Sequence, residues 1–332
     1  CLAGERPAYL AGEYRPPDDA PRLLATPGHT AYLKIADGCD NRCTYCAIPA
    51  IRGPYRSRRR AAILKEAEEL AQQGVREISL VAQDITLYGQ DRGEGRALPA
   101  LLRSLAAIPG IAWIRLLYAY PERITPELIE TMATEKKICA YLDLPLQHGS
   151  DSVLRRMGRK TTAKKLLELI GCLRTAIPGI TLRSTFIVGF PGETENDFAR
   201  LLFFLEEAGL DRVGFFAYSQ EEGTPAAHFP GQISTEVKKE RLEVATDRQS
   251  RIVAVKQQAL VGRRLQALVD GYSAQDPNVL LLRSYRQAPE VDGYIRAEGA
   301  RVESGTFVTV KINGYDGYDL LGTIETEQEG KL

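Results

Sequence analysis

The chain has 332 residues, 44% of them hydrophobic, which excludes a disordered chain and gives enough length for one large or two ordinary domains. Lysine plus arginine and aspartate plus glutamate both number 43, so the formal net charge is zero and the field of the whole chain favours no polyanionic partner. Six cysteines over this length are too sparse for a disulfide scaffold, and with no secretory signal, transit peptide or long apolar run they agree with a cytoplasmic address.

Residues 1–29 begin at Cys1 and run through Pro7, Pro16, Pro17, Pro21 and Pro27, a linker composition that leads us to expect a preceding segment in the intact protein. From residue 31, short apolar β-branched or aromatic runs alternate with amphipathic stretches. Strands are expected at 31–36, 77–82, 113–118, 141–145, 181–188 and 212–217, with helices at 60–73, 97–107, 125–134, 161–175 and 194–208 as crossovers. Thr194 and Asp197 resemble a capping box before the last of these. Six such units give an α/β fold, either a partial or full barrel or a doubly wound sheet, and both gather sites at the C-terminal ends of strands. A long polar helix over 234–260 leads into a tail, 263–332, whose short strands at 265–269, 279–282, 294–296 and 307–312 read as a small all-β module. That tail carries eight basic and eleven acidic residues, so it suits a basic partner better than a phosphate backbone.

Directly after the first strand stand Cys39, Cys43 and Cys46, spaced C-x3-C-x2-C. Structural zinc would close its tetrahedron with a fourth ligand, and none of His29, His148 and His228 has the short spacing of a zinc knuckle. A 4Fe-4S cluster held by three thiolates keeps one iron open to something other than protein. Cys1, Cys139 and Cys172 lie apart and read as a terminus and two core residues. The competing class is a non-catalytic zinc or RNA-binding protein, which iron and sulfide analysis separates from a cluster enzyme.

The cysteine triplet with Tyr45 inside it, set after the first strand of a six-unit frame, resembles the radical S-adenosylmethionine (SAM) enzymes. Ile48-Pro49, Arg52-Gly53 and Arg56-Ser57-Arg58, then Leu146-Gln147-His148-Gly149-Ser150 and the run from Phe186 to Thr194, narrow the resemblance to the methylthiotransferases over residues 30 to about 260. The β tail is similar to a TRAM module. Leu144-Pro145, the stretch 284–293 and Tyr318-Asp319-Leu320 resemble the branch of that family acting on the twelfth protein of the small ribosomal subunit.

The resemblance implies a linker at 1–29, a partial (β/α)6 TIM-like radical SAM core at 30–262 and a TRAM domain at 263–332. It implies one 4Fe-4S cluster on the three cysteines, SAM on the open iron, and release of a 5'-deoxyadenosyl radical after an electron donor reduces the cluster. The product would be a methylthio group on the β-carbon of an aspartate of that ribosomal protein, docked through the TRAM module. The alternative is the sister enzyme that methylthiolates isopentenyladenosine in transfer RNA. Family members also carry an N-terminal domain with a second 4Fe-4S cluster for sulfur delivery, and this chain, lacking it, is expected to cleave SAM without transferring sulfur.

By the same resemblance Tyr45 packs beside the cluster and helps to place adenine, while Gln83 and Asp84 meet the methionine moiety or simply end a strand. Arg183 and Thr185 share one strand face and could pair with the cofactor carboxylate or point outward. Gln147 and Ser150 are candidate ribose contacts, Ser150 equally a helix cap, and Gly189 would let backbone approach the adenine or only make a turn. Arg59 and Arg60 read as a solvated helix start; Arg52, Arg56 and Arg58 are expected to steer an acidic substrate side chain.

Overall fold

The computed structural model describes residues 22–298 and 301–325. The expected linker lies outside the described residues as far as residue 21. Its end is strapped down where Arg22 pairs with Glu66 at 2.8 Å and donates to the Tyr32 carbonyl at 2.7 Å.

In chain order the first part comprises β1 (Thr30–Lys34), β2 (Ala36–Asp37), α1 (Ile48–Arg52), β3 (Arg56–Ser57), α2 (Arg60–Gln72), β4 (Glu77–Val81), α3 (Leu98–Ala106) and β5 (Trp113–Leu116). There follow α4 (Pro126–Thr134), β6 (Ile138–Asp143), α5 (Asp151–Arg156), α6 (Ala163–Ala176), β7 (Thr181–Val188), α7 (Glu195–Ala208), β8 (Arg212–Ala217) and α8 (Thr235–Gln258). The tail adds β9 (Arg264–Tyr272), β10 (Val279–Ser284), β11 (Ile295–Glu298), β12 (Phe307–Asp316) and β13 (Asp319–Glu325).

The main sheet runs β1-β4-β5-β6-β7-β8, every neighbouring pair parallel. A doubly wound sheet reverses its order at a switch point; this one never does, so it is a six-stranded partial barrel. Strand β7 shows why the two faces differ. Leu182, Ser184, Phe186 and Val188 are buried on one face, while Arg183, Thr185 and Ile187 on the other are partly open. The buried face meets the helices: Phe186 lies 6.1 Å from Phe204 of α7, whose start carries the complete Thr194–Asp197 capping box. Each such buried aromatic or aliphatic side chain contributes about 1.5–3 kcal/mol.

The tail is a closed five-stranded barrel in the order β10-β11-β13-β12-β9 around Val269, Leu280, Leu282, Ile295, Val310 and Leu320. At Gly322 a Cβ would stand 2.5 Å from Val310 Cγ1 and 2.9 Å from the Lys311 carbonyl oxygen, so only glycine lets β13 lie this close.

The open face of the partial barrel is floored by this tail. Trp113, Leu117, Cys139 and Tyr141 pack with Leu268 and Ala288, and Trp113 meets Phe307 edge to face at 4.8 Å. Wholly buried ions join the two parts: Glu77 accepts from Arg115 Nε at 2.8 Å and from Arg283 Nη1 at 2.6 Å, while Arg283 also holds Asp270 at 2.5 Å. The segment 284–293 reaches four strands. Tyr285 O accepts from Arg115 at 2.6 Å, Pro289 O from Tyr32 at 3.3 Å, Asp292 from Tyr141 at 2.5 Å, and Arg183 pairs with Asp292 at 3.4 Å. Helix α8 links the parts along one side, with Arg241, Gln249 and Gln257 buried on one stripe. No helix among the described residues is long and apolar enough to cross a membrane.

Candidate cluster and cofactor site

The cysteine loop follows β1 and β2 at the carboxyl mouth of the barrel and is tied on every side. Cys39 N donates to Gly53 O at 3.2 Å, Tyr55 N to Asp40 Oδ1 at 3.0 Å, Thr44 N to Met157 O at 3.1 Å and Ala226 N to Thr44 O at 2.9 Å. Gly38 has φ +76°, and a Cβ there would stand 2.2 Å from Pro54 O, so backbone packs on backbone at the loop entrance.

All three cysteines are free thiols, Cys39 buried and Cys43 and Cys46 partly so. Burial chiefly pushes the Cys39 and Cys46 thiols above the usual range, and the neighbouring sulfurs add to it. Among the described residues no three His, Cys, Asp or Glu side chains are grouped to hold a metal ion. One zinc needs its thiolates within about 2.3 Å of a single point. A cube gives each thiolate its own iron, and three free thiols spaced C-x3-C-x2-C are a donor set that suits a cluster with one open iron.

Two phenols close on Cys43. Tyr45 and Tyr120 both stand close enough to feel it, and burial first, then the Cys43 thiol, raises the Tyr45 hydroxyl well above its ordinary value. The Arg159 guanidinium lies 3.9 Å from the Tyr120 ring centre and pairs with Glu122 at 3.0 Å. Tyr45 also meets Phe190 edge to face at 6.4 Å, joining the cysteine loop to the turn 189–192. In that turn Gly189 has φ +70°, and a Cβ would stand 2.3 Å from Lys238 Cγ.

Gln83, just beyond β4, has a buried Oε1 with no hydrogen-bond partner, an acceptor that a bound amino group would complete. Asp84 is committed instead: Oδ1 caps Thr86 N at 2.9 Å, and Oδ2 accepts from Asn41 at 3.0 Å and Arg123 at 2.8 Å. Gln147 is a non-glycine residue at φ +75°, held because its N and O bond Thr185 O and Ile187 N, both at 2.9 Å. Ser150 occupies the N-cap of α5 without capping it; its hydroxyl donates to Asp197 at 2.6 Å. Burial alone would raise the Asp197 carboxyl, but Ser150, Ser152 and Thr194 outweigh it and hold that carboxyl far below the usual range. Arg183 pairs with Asp143 at 3.0 Å and with Asp292, whereas Thr185 stays partly open on the inner face. Of the arginines expected to steer substrate, Arg58 is bound to Glu66 at 2.7 Å and to Lys34 O at 2.7 Å. Arg60 donates to Ala100 O at 3.0 Å.

Sequence reasoning missed Tyr120 and Arg159, and also a buried staple. His148 Nδ1 accepts from Ser150 N at 2.9 Å, which leaves Nε2 as the protonated nitrogen, 3.5 Å from Glu193 Oε2. Glu193 holds Phe190 N at 3.1 Å and Arg241 of α8 at 3.0 Å. Gln-His-Gly-Ser and Gly-Phe-Pro-Gly-Glu are legible as motifs, but nothing in their spacing says that His148 and Glu193 meet.

A parallel partial barrel with a thiol trio on its first loop defines a class. The family description for the radical SAM superfamily matches residues 33–205, and that for the TRAM domain matches residues 261–324. The ribosomal protein uS12 methylthiotransferase RimO of Trichlorobacter lovleyi is 50% identical over 310 residues, covering 93% of this chain and 69% of that protein. Those of Moorella thermoacetica and Desulforudis audaxviator are each 54% identical, over 98% and 90% of this chain and 74% and 66% of theirs. The chain thus belongs to the radical SAM superfamily and, within it, to the uS12 methylthiotransferase family. Among solved structures it is similar to the radical SAM methyltransferase TsrM of Kitasatospora setae, at 16% identity and a TM-score of 0.49 over 68% of this chain and 52% of that one.

Proposed function

We propose that the chain binds a 4Fe-4S cluster through Cys39, Cys43 and Cys46, binds SAM at the open iron, and serves the methylthiolation of an aspartate β-carbon in ribosomal protein uS12. The observation that carries this is the clamped loop that presents Cys39, Cys43 and Cys46 as free thiols at the barrel mouth. When bound, the cluster and SAM supply one-electron cleavage of the sulfonium, leaving methionine and a 5'-deoxyadenosyl radical.

The chain's own residues then have distinct tasks. Gln83 accepts from the cofactor amino group, Tyr45 and Gly189 shape the adenine pocket, and Gln147 and Thr185 line the inner wall. Asp84, Ser150 and Arg183 act at one remove, fixing Asn41, α7 and the floor segment respectively. Phe190, Tyr218 and Phe229 keep water from this wall. We assign residues 1–29 to a linker, 30–262 to the radical SAM core and 263–332 to the TRAM domain. The acidic TRAM barrel docks the basic ribosomal protein in the cytoplasm, and a second 4Fe-4S cluster on a further domain delivers sulfur.

Mass spectrometry of ribosomal proteins and transfer RNA from cells lacking the gene tests this. Loss of a methylthio mass from the uS12 aspartate is expected; loss from the nucleoside instead would overturn the assignment.

A further inference from the structure

Strand β8 opens with a buried cation that no carboxylate touches. Register sets Arg212 beside Arg183 of β7, and both line a cavity of about 170 Å³ between the core strands and the tail, walled further by Val291, Asp292 and Tyr318. Arg212 is 5% exposed, yet its one hydrogen bond runs from Nη1 to Tyr318 O at 2.9 Å, with the Tyr318 ring centre 5.3 Å from the guanidinium carbon. Among the described residues it is in no ion pair, because the nearby acids are turned elsewhere. Asp292 accepts from Tyr141 at 2.5 Å and Ala288 N at 2.9 Å and faces Arg183 at 3.4 Å, Asp143 holds Arg183 at 3.0 Å, and Asp211 holds Lys256 and Arg286, each at 3.0 Å. Burial costs every buried guanidinium. Carboxylate contacts outweigh it for Arg183 and Arg283, whose guanidiniums stand above the ordinary value, whereas burial pulls Arg212 below it.

The part of Arg212 left free has a definite shape. Nε and Nη2 form one edge of the guanidinium, two parallel N–H donors that match the two oxygens of a carboxylate. The chain uses this same edge twice elsewhere: Arg283 grips Asp270 with it at 2.5 and 2.9 Å, and Arg159 grips Glu122 at 3.2 and 3.0 Å. On Arg212 the edge has no partner, and unlike Arg115 Nη2 and Arg241 Nε, which surrounding atoms seal off, it is open to the cavity. A carboxylate there would supply the counterion that this buried charge lacks. Asp292 keeps its own charge in the same lining, so the cavity suits one added negative charge better than two.

We infer that the Nε and Nη2 edge of Arg212 is a carboxylate-binding site, filled by a small free monocarboxylate or by a carboxylate of the protein substrate. The site goes beyond the cluster reading and stands without it.

The test is an NMR titration of the chain with sodium acetate, ionic strength held constant with sodium chloride, read at the Arg212 Nε–H and at the amide of Gly293, which also lines the cavity. Acetate should give a saturable shift that chloride does not. Arg212→Lys keeps the charge and removes the fork, so the acetate affinity read at Gly293 should fall at least about tenfold. Should that variant fail to fold, Val291→Glu leaves Arg212 in place: Val291 is 56% exposed at the cavity, and a carboxylate tethered there should abolish the acetate shift while Val291→Gln retains it. Acetate and chloride acting alike, inorganic phosphate binding more tightly than acetate, or an unchanged acetate affinity in either folded variant would each overturn the site. A peptide spanning the uS12 target aspartate that displaces acetate, when its asparagine form does not, makes the substrate's own carboxylate the occupant. Displacement by neither form, or by both alike, makes it a small free carboxylate.

Discussion

Glu77→Gln tests the floor of the barrel with almost no change of shape. Glu77, Arg115 and Arg283 are all fully buried, with carboxylate contacts of 2.8 and 2.6 Å, and Asp270 gives Arg283 its second carboxylate at 2.5 and 2.9 Å. Two guanidiniums face two carboxylates in the parent and would face one in the variant. The glutamine amide would also turn an N–H₂ toward one of them. Breaking a buried pair in this way costs about 3–5 kcal/mol, whereas the exposed Lys65–Glu69 pair is worth about 0–1 kcal/mol. Glu77 belongs to the core and Arg283 and Asp270 to the tail, so the loss falls on their docking. Trp113, the only tryptophan, sits against Phe307 at this interface and reports it by fluorescence. In a urea titration the variant's tryptophan transition should fall by about 1–5 M, for a slope of about 1–3 kcal/mol/M, while Glu69→Gln leaves it in place. A loss for Glu77→Gln below about 1 kcal/mol, no larger than for an exposed pair, would refute the reasoning.

Gly38→Ala should cost about 1–3 kcal/mol of loop conformation and lower the iron retained after reconstitution. Gly74→Ala, at φ +95° with open space around it, should retain the parent's iron content. Thiol labelling read by peptide mass spectrometry should modify exposed Cys172 early and Cys139 only on unfolding, because burial pushes the Cys139 thiol up to about 12. Burial likewise pushes Tyr32 and Tyr88 up to about 12. Raised in the folded state, these groups add stability that is fully present below their unfolded values near 9 and 10, and lost as pH climbs toward 12. Urea midpoints should therefore fall steadily above pH 9; a flat profile to pH 11 would contradict this assignment.

Strands whose pattern stands alone were legible. The runs 181–188 and 212–217 coincide with β7 and β8, and the capping box at Thr194 is present. Strand β6 begins three residues earlier than expected, at Ile138, since Lys136 and Lys137 mask the start of an inward-facing segment covered by the tail. Strand β13 was missed because it pairs with β11 and β12, contacts that its glycine-containing sequence does not advertise. The cysteine trio is legible as a motif through its fixed local spacing after the first strand. Asp84, Ser150 and Arg183 carry both a cofactor and a structural reading in the sequence because strand ends look alike, and their partners Arg123, Asp197 and Asp292 lie 39, 47 and 109 positions away. The floor segment 284–293 carried a family likeness but no local sign that it reaches four strands.

The central claim is tested most directly by anaerobic reconstitution of the chain, with iron and sulfide analysis followed by reduction in the presence of SAM. About four irons and four sulfides per chain, and formation of 5'-deoxyadenosine that Cys43→Ala abolishes, are expected. A protein that takes up zinc alone, or holds iron and sulfide yet yields no 5'-deoxyadenosine under reduction, would contradict it.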